Sequence, residues 1–144
     1  MANDKIVQLT DAEFDNVIQS EQPTLVDFWA PWCGPCKTFG PVFEKISEEF
    51  NDAVFAKCNT EDQAELATVL QIRAIPTLMV FREQILLYRE SGALPEAALR
   101  ELVQRTMELD MDEVRQAIEE DAKAEAEADE KRAREEQAQS GNEE

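Results

Sequence analysis

Histidine is absent from this chain of 144 residues. Without an imidazole, every Cys-His hydrolytic mechanism lacks its base, and a zinc centre loses its usual nitrogen ligand. Basic residues are scarce too: 14 against 32 acids leave a net charge of −18. Such a polyanion is repelled by nucleic acid and by anionic membrane, which excludes both as expected partners. No run of about 18 apolar residues exists, so no membrane-spanning helix is predicted. The opening "MANDKIVQLTDAEFDN" shows no basic stretch followed by an apolar one, hence no export signal is read there. The expected address is cytoplasmic, where structural disulfides are rare. Only three cysteines are present, and in that compartment they point to metal or redox chemistry.

What remains is enough for one domain and an appendage. Residues 1–106 hold 17 acids and 9 bases, a net of −8, whereas residues 107–144 hold 15 and 5, a net of −10. The chain therefore divides into a domain over 1–107 and an acidic, Ala/Glu-rich tail over 108–144. "KIVQL" (Lys5–Leu9) reads as a strand. Thr10 to Glu13 has the form of a capping box, with Phe14, Val17 and Ile18 following at helical spacing, so a helix is expected over Asp11–Gln19. "TLVDFWA" (Thr24–Ala30) is almost continuously apolar, the pattern of a strand buried on both faces. Phe39, Val42, Phe43, Ile46 and Phe50 mark a second helix with Pro41 inside it.

"AVFAKCN" (Ala53–Asn59) is a third strand, and Thr60 to Gln63 a second capping-box pattern before Leu66, Val69 and Leu70. "IPTLMVFR" and "ILLYRES" are two strands joined by a very short turn. That turn, Arg82-Glu83-Gln84, has no glycine to take positive φ. "ILLY" (Ile85–Tyr88) is also more apolar than an uncovered edge strand should be. Pro95 suits the first position of a last helix bearing Ala98, Leu99, Leu102 and Val103. The alternation β-α-β-α-β-α-β-β-α predicts a three-layer α/β/α sandwich around a mixed central sheet.

Beyond Met107, Asp110 and Glu113 signal another helix start, and Met111, Val114 and Ile118 form a short apolar stripe. The remainder has good helix propensity and little to bury. A solvated helix is expected, with the stripe as a candidate for docking near the Ile85–Tyr88 hairpin or on the last helix.

The chemistry concentrates in "WCGPC" (Trp32–Cys36). A closed zinc site needs four thiolate or imidazole ligands, and only Cys58 could join this pair. A disulfide staple across two residues constrains little of the unfolded chain. A redox role fits: Cys33 ends the loop after a buried strand and Cys36 lies in the following helix. Unpaired N–H groups and the positive end of the helix dipole favour the thiolate there. Cys33 is read as the outer, exposed attacking sulfur and Cys36 as the resolving one. Asp27, inside an apolar strand, is costly to ionise, so its pKa is expected to rise and suit it to take the proton of Cys36. Cys58 should face the opposite side of the sheet as a buried thiol. Trp29 is assigned to the core and Trp32 to an exposed rim.

"WCGPC" after "VDFWAP", with Lys37 next and Pro41 five residues past Cys36, resembles thioredoxin. "AKCNTED", "IRAIPTLMVF" and "SGAL" extend the likeness over Lys5–Thr106. The resemblance implies a thioredoxin-like fold and a protein-disulfide reductase, with Cys33 as nucleophile and Cys36 as resolving thiol. It implies a cis bond before Pro76, and a client groove lined by Trp32, Gly34, Pro35, Ile75, Pro76, Gly92 and Ala93. Asp27 would be the buried acid and Lys57 its neighbour. No bound cofactor and no metal are expected; electrons would come from a separate NADPH-dependent flavoprotein, thioredoxin reductase. Partners would be disulfide-containing client proteins. The rival reading is a co-chaperone or client-binding module, with the acidic tail as its interaction element.

Overall fold

The computed structural model describes residues 5–141. Its chain forms β1 (Ile6–Gln8), α1 (Phe14–Val17), β2 (Thr24–Trp29), α2 (Gly34–Glu49) and β3 (Val54–Asn59). Next come α3 (Ala64–Val69), β4 (Thr77–Arg82), β5 (Ile85–Ser91), α4 (Glu96–Glu108) and α5 (Met111–Gly141). The strands make one sheet in the order β1-β3-β2-β4-β5. β3 runs parallel to β1 and β2; β4 is antiparallel to β2 and to β5. The sheet is mixed, as the alternation of elements predicts.

Side chains alternate across the sheet and build two cores. Leu25, Phe55, Leu78 and Val80 meet Phe39, Phe43 and Ile46 of α2 and Leu99 and Val103 of α4. On the other face Val26, Phe28, Ala56, Met79 and Phe81 meet Ile18 and Leu66. Cys58 belongs to this second core, fully buried, and burial pushes its thiol up to about 12. A thiol so hard to ionise is unreactive at neutral pH. Asp27 lies on the α2 and α4 side, in register with Lys57 of β3 and Leu78 of β4.

Two local expectations change. α1 is a single turn; the Glu13 N–H donates to Thr10 Oγ1 at 3.3 Å, as the first capping box predicts, while Asp11 is tied to α3. Asp11 Oδ1 accepts the Leu66 N–H at 3.0 Å, and the Asp11 N–H donates to Gln63 Oε1 at 2.8 Å. The second capping box does not form: Thr60 donates its hydroxyl to the Trp29 carbonyl, and α3 draws its cap from Asp11, 55 residues away. The β4–β5 turn does take positive φ, 53° at Glu83 and 68° at Gln84. The N–H groups of these residues donate to the carbonyls of Ser20 and Ile18, both at 2.9 Å, which offsets the strain of that conformation in residues with a Cβ. Leu86 of β5 is 46% exposed.

The chain divides between Glu108 and Leu109 into two compact units. In the second, Asp110 Oδ1 caps α5 by accepting the N–H groups of Asp112 and Glu113. Every residue from Arg115 to Gly141 is exposed, including Ile118 of the apolar stripe. Near-neighbour ion pairs such as Arg134–Glu130 run along it, each a weak contribution at a solvated surface.

Candidate active site

The site forms where β2 ends and α2 begins. The Cys33 N–H donates to the Ala30 carbonyl at 3.2 Å, turning the chain so that Cys33 becomes the N-cap of α2. Its Sγ accepts the Cys36 N–H at 3.2 Å, the bond that a cap oxygen would make elsewhere. Pro35, in the first turn, has no N–H of its own, so the sulfur faces the Cys36 donor. The cap is a sulfur at the positive end of a helix of 16 residues.

Cys33 and Cys36 are joined, with Sγ–Sγ 2.39 Å and Cα–Cα 5.2 Å. Exposure does not distinguish them: Cys33 is 4% exposed and Cys36 5%. The expectation of an exposed outer sulfur is therefore corrected. Ala30, Trp29 and Ile75 pack around the pair. Position alone separates the sulfurs, Cys33 capping the helix and Cys36 standing inside its first turn.

Two further loops close on this one. The Ile75–Pro76 peptide bond is cis, and the Ile75 carbonyl oxygen lies 3.6 Å from Cys33 Sγ. That oxygen can accept a hydrogen bond from the thiol once the pair is reduced. Pro76 is buried, and its carbonyl accepts the Gly92 N–H at 2.8 Å. Gly92 has φ of +110°, which a residue with a Cβ adopts only under strain, so glycine suits the corner. Gly34, Pro35, Gly92 and Ala93 are exposed and Ile75 is half-buried. Trp32 stands 67% exposed at the rim, its indole N–H held by the Glu61 carboxylate. Trp29 is half-buried against the cysteines, and its Nε1 has no hydrogen-bond partner among the described residues.

Behind the pair runs a cleft of about 260 Å³, lined by residues that include Trp29, Cys36, Gly40, Glu44 and Lys57. Asp27, in register with Lys57 of this lining, is 1% exposed, with Oδ1 lacking a hydrogen-bond partner among the described residues. Burial pushes its carboxyl up to about 7; the Lys57 charge pulls the other way, and Glu44 adds to the rise. Lys57 is the register neighbour of Asp27, yet its Nζ pairs with Glu44 Oε1 at 3.0 Å. Gly40 makes the room: a Cβ there would touch Lys57 Nζ at 3.4 Å.

The structure thus brings together Cys33, Cys36, Ile75 and Pro76, with Gly92 tied to Pro76 and with Asp27 and Lys57 side by side in the sheet. Sequence reasoning missed Glu44 and Glu61. Both partners lie across the fold from the residues they hold, 13 and 29 positions away, so no local spacing rule finds them.

Residues 5–105 match the Thioredoxin family model. The chain is 52% identical over 112 residues to "Putative thioredoxin 2" of Streptomyces coelicolor, covering 78% of this chain and 84% of that protein. It is 44% identical over 96 residues to a thioredoxin of Porphyra purpurea, covering 65% and 90%. A mutant thioredoxin from Halobacterium salinarum NRC-1 superposes with a TM-score of 0.68 at 32% identity, covering 76% of this chain and 97% of that one.

Proposed function

The chain belongs to the thioredoxin family of thiol-disulfide oxidoreductases, and from that premise we propose that it reduces disulfides in client proteins through Cys33 and Cys36. The observation that carries this reading is a cysteine pair at bonding distance across the first turn of α2, with one sulfur serving as the helix cap.

In the reduced protein the Cys33 thiolate attacks one sulfur of a client disulfide. The client S–S bond breaks, a Cys33–client bond forms, and the first client sulfur leaves as thiolate and takes a proton. Cys36 then gives its proton to ionised Asp27 and attacks Cys33 Sγ. The mixed disulfide breaks, the Cys33–Cys36 bond forms, and the second client thiolate departs. Two electrons have passed to the client. An acid pushed up to about 7 is a far better proton acceptor than an ordinary carboxylate and remains partly ionised at neutral pH. The exposed Trp32, Gly34, Pro35, Gly92 and Ala93 supply the surface on which the client lies, and Ile75 sits beside the reacting sulfur. Pro76 contributes by anchoring Gly92.

The oxidised pair is returned to dithiol by a separate NADPH-dependent flavoprotein, with no cofactor bound to this chain. That cycle belongs in a reducing compartment, the cytosol. The acidic α5 acts outside the dithiol chemistry as a charged appendage.

Insulin-disulfide reduction with dithiothreitol as electron source tests the reading. Cys33→Ser abolishes activity, whereas Cys36→Ser stops after the first step and accumulates a mixed disulfide visible by mass spectrometry. Wild-type activity in Cys33→Ser would refute the assignment.

A further inference from the structure

Lys57 has two carboxylates to choose between. Asp27 stands opposite it in the β2–β3 register, and Glu44 projects from α2 into the same cleft. The ammonium goes to Glu44, at 3.0 Å. The side chain of Lys57 is only 15% exposed, so this pair is sheltered, while that of Glu44 is 46% exposed and keeps contact with water. Gly40, one helical turn before Glu44, leaves α2 bare where the ammonium passes. Cys36 stands one turn before Gly40 and lines the same cleft.

We propose that Glu44 is a positioning residue for the resolving step, holding the Lys57 ammonium on α2 so that Asp27 keeps its strength as the proton acceptor for Cys36. The proposal rests on the role given above to Asp27. The chemistry follows from competition between anions for one cation. An ammonium brought onto Asp27 would stabilise its ionised form and weaken it as a base. Held by Glu44, the same charge acts from further off and is partly neutralised.

The other surroundings of Asp27 do not compete for this role. Leu78, its register partner on β4, is apolar, and Cys36 is the group whose proton is transferred. Lys37 lines the cleft from α2 but is exposed to water. Lys57 and Glu44 are the two charges that act on Asp27.

The test compares wild type, Glu44→Gln, Asp27→Asn and the double variant. Two quantities are followed: the Asp27 carboxyl midpoint by 13C NMR in the oxidised protein, and the pH profile of single-turnover oxidation of the reduced protein by a peptide disulfide. Glu44→Gln is expected to lower the Asp27 midpoint by about one pH unit and to carry the kinetic midpoint down with it. In the double variant the kinetic shift vanishes, because the responding group is gone. Glu44→Asp, which keeps the charge, holds the midpoint nearer wild type than Glu44→Gln does. A merely structural Glu44 would change stability and leave both midpoints in place. An unshifted or raised Asp27 midpoint in Glu44→Gln overturns this inference alone. An unchanged kinetic profile in Asp27→Asn overturns the proton-transfer role of Asp27, and the present inference with it.

Discussion

Replacing Asp27 by asparagine is expected to flatten the pH dependence of folding stability. The carboxyl is 1% exposed, and burial raises it from 3.8 to about 7. In the unfolded chain the same group ionises at its ordinary value. Between these two values the folded protein holds a proton that the unfolded chain has released. Stability therefore falls as pH rises: the contribution of protonated Asp27 is whole below about 4 and is lost as pH climbs through about 7.

At about 1.4 kcal/mol per pH unit, the full cost above pH 7 comes to roughly 4 kcal/mol, of which about 3 kcal/mol is incurred between pH 5 and 8.5. Asparagine keeps the shape and cannot ionise. Urea unfolding of oxidised wild type and Asp27→Asn at pH 5, 7 and 8.5 measures the difference directly. The stability gained by the variant should grow by about 3 kcal/mol across that range. Parallel pH dependences for the two proteins would refute the reasoning, and with it the claim that this acid is held against its own ionisation.

Two structural predictions follow from bonds that join distant parts of the chain. Asp11→Ala removes the cap that α3 receives on the Leu66 N–H and should cost about 1 kcal/mol in denaturant unfolding, equally in the oxidised and reduced protein. Equal stability of this variant and wild type would show the cap to be idle. Replacing Glu83→Asn together with Gln84→Gly installs residues that accept positive φ and should stabilise by about 0.5–1 kcal/mol by the same measurement. A loss instead would mean that the bonds donated to the Ser20 and Ile18 carbonyls depend on the side chains now present.

Much of this molecule could be read in advance because its signals are local. Leu25, Val26 and Phe28 alternate between the two cores because a strand presents successive side chains to opposite faces, and this buries Asp27 among them. Cys33 caps α2 because a Cys-Gly-Pro-Cys run after a buried strand leaves a sulfur facing unpaired N–H groups. Local signals failed where the partner came from elsewhere. The Thr60–Gln63 pattern looked like a cap, but α3 takes its cap from Asp11. Cys33 was expected at the surface, yet Ala30, Trp29 and Ile75 close around the pair.

Spacing along the chain by itself determined the five strands, the alternation of helices, and the two sulfurs at one helix end, since each depends on neighbours within a few residues. Only the tertiary structure decided which carboxylate takes Lys57, what holds Trp32, and how little of the cysteine pair meets water. Those outcomes are competitions among groups brought together by folding. Charge and burial act through space, at distances that sequence separation does not measure.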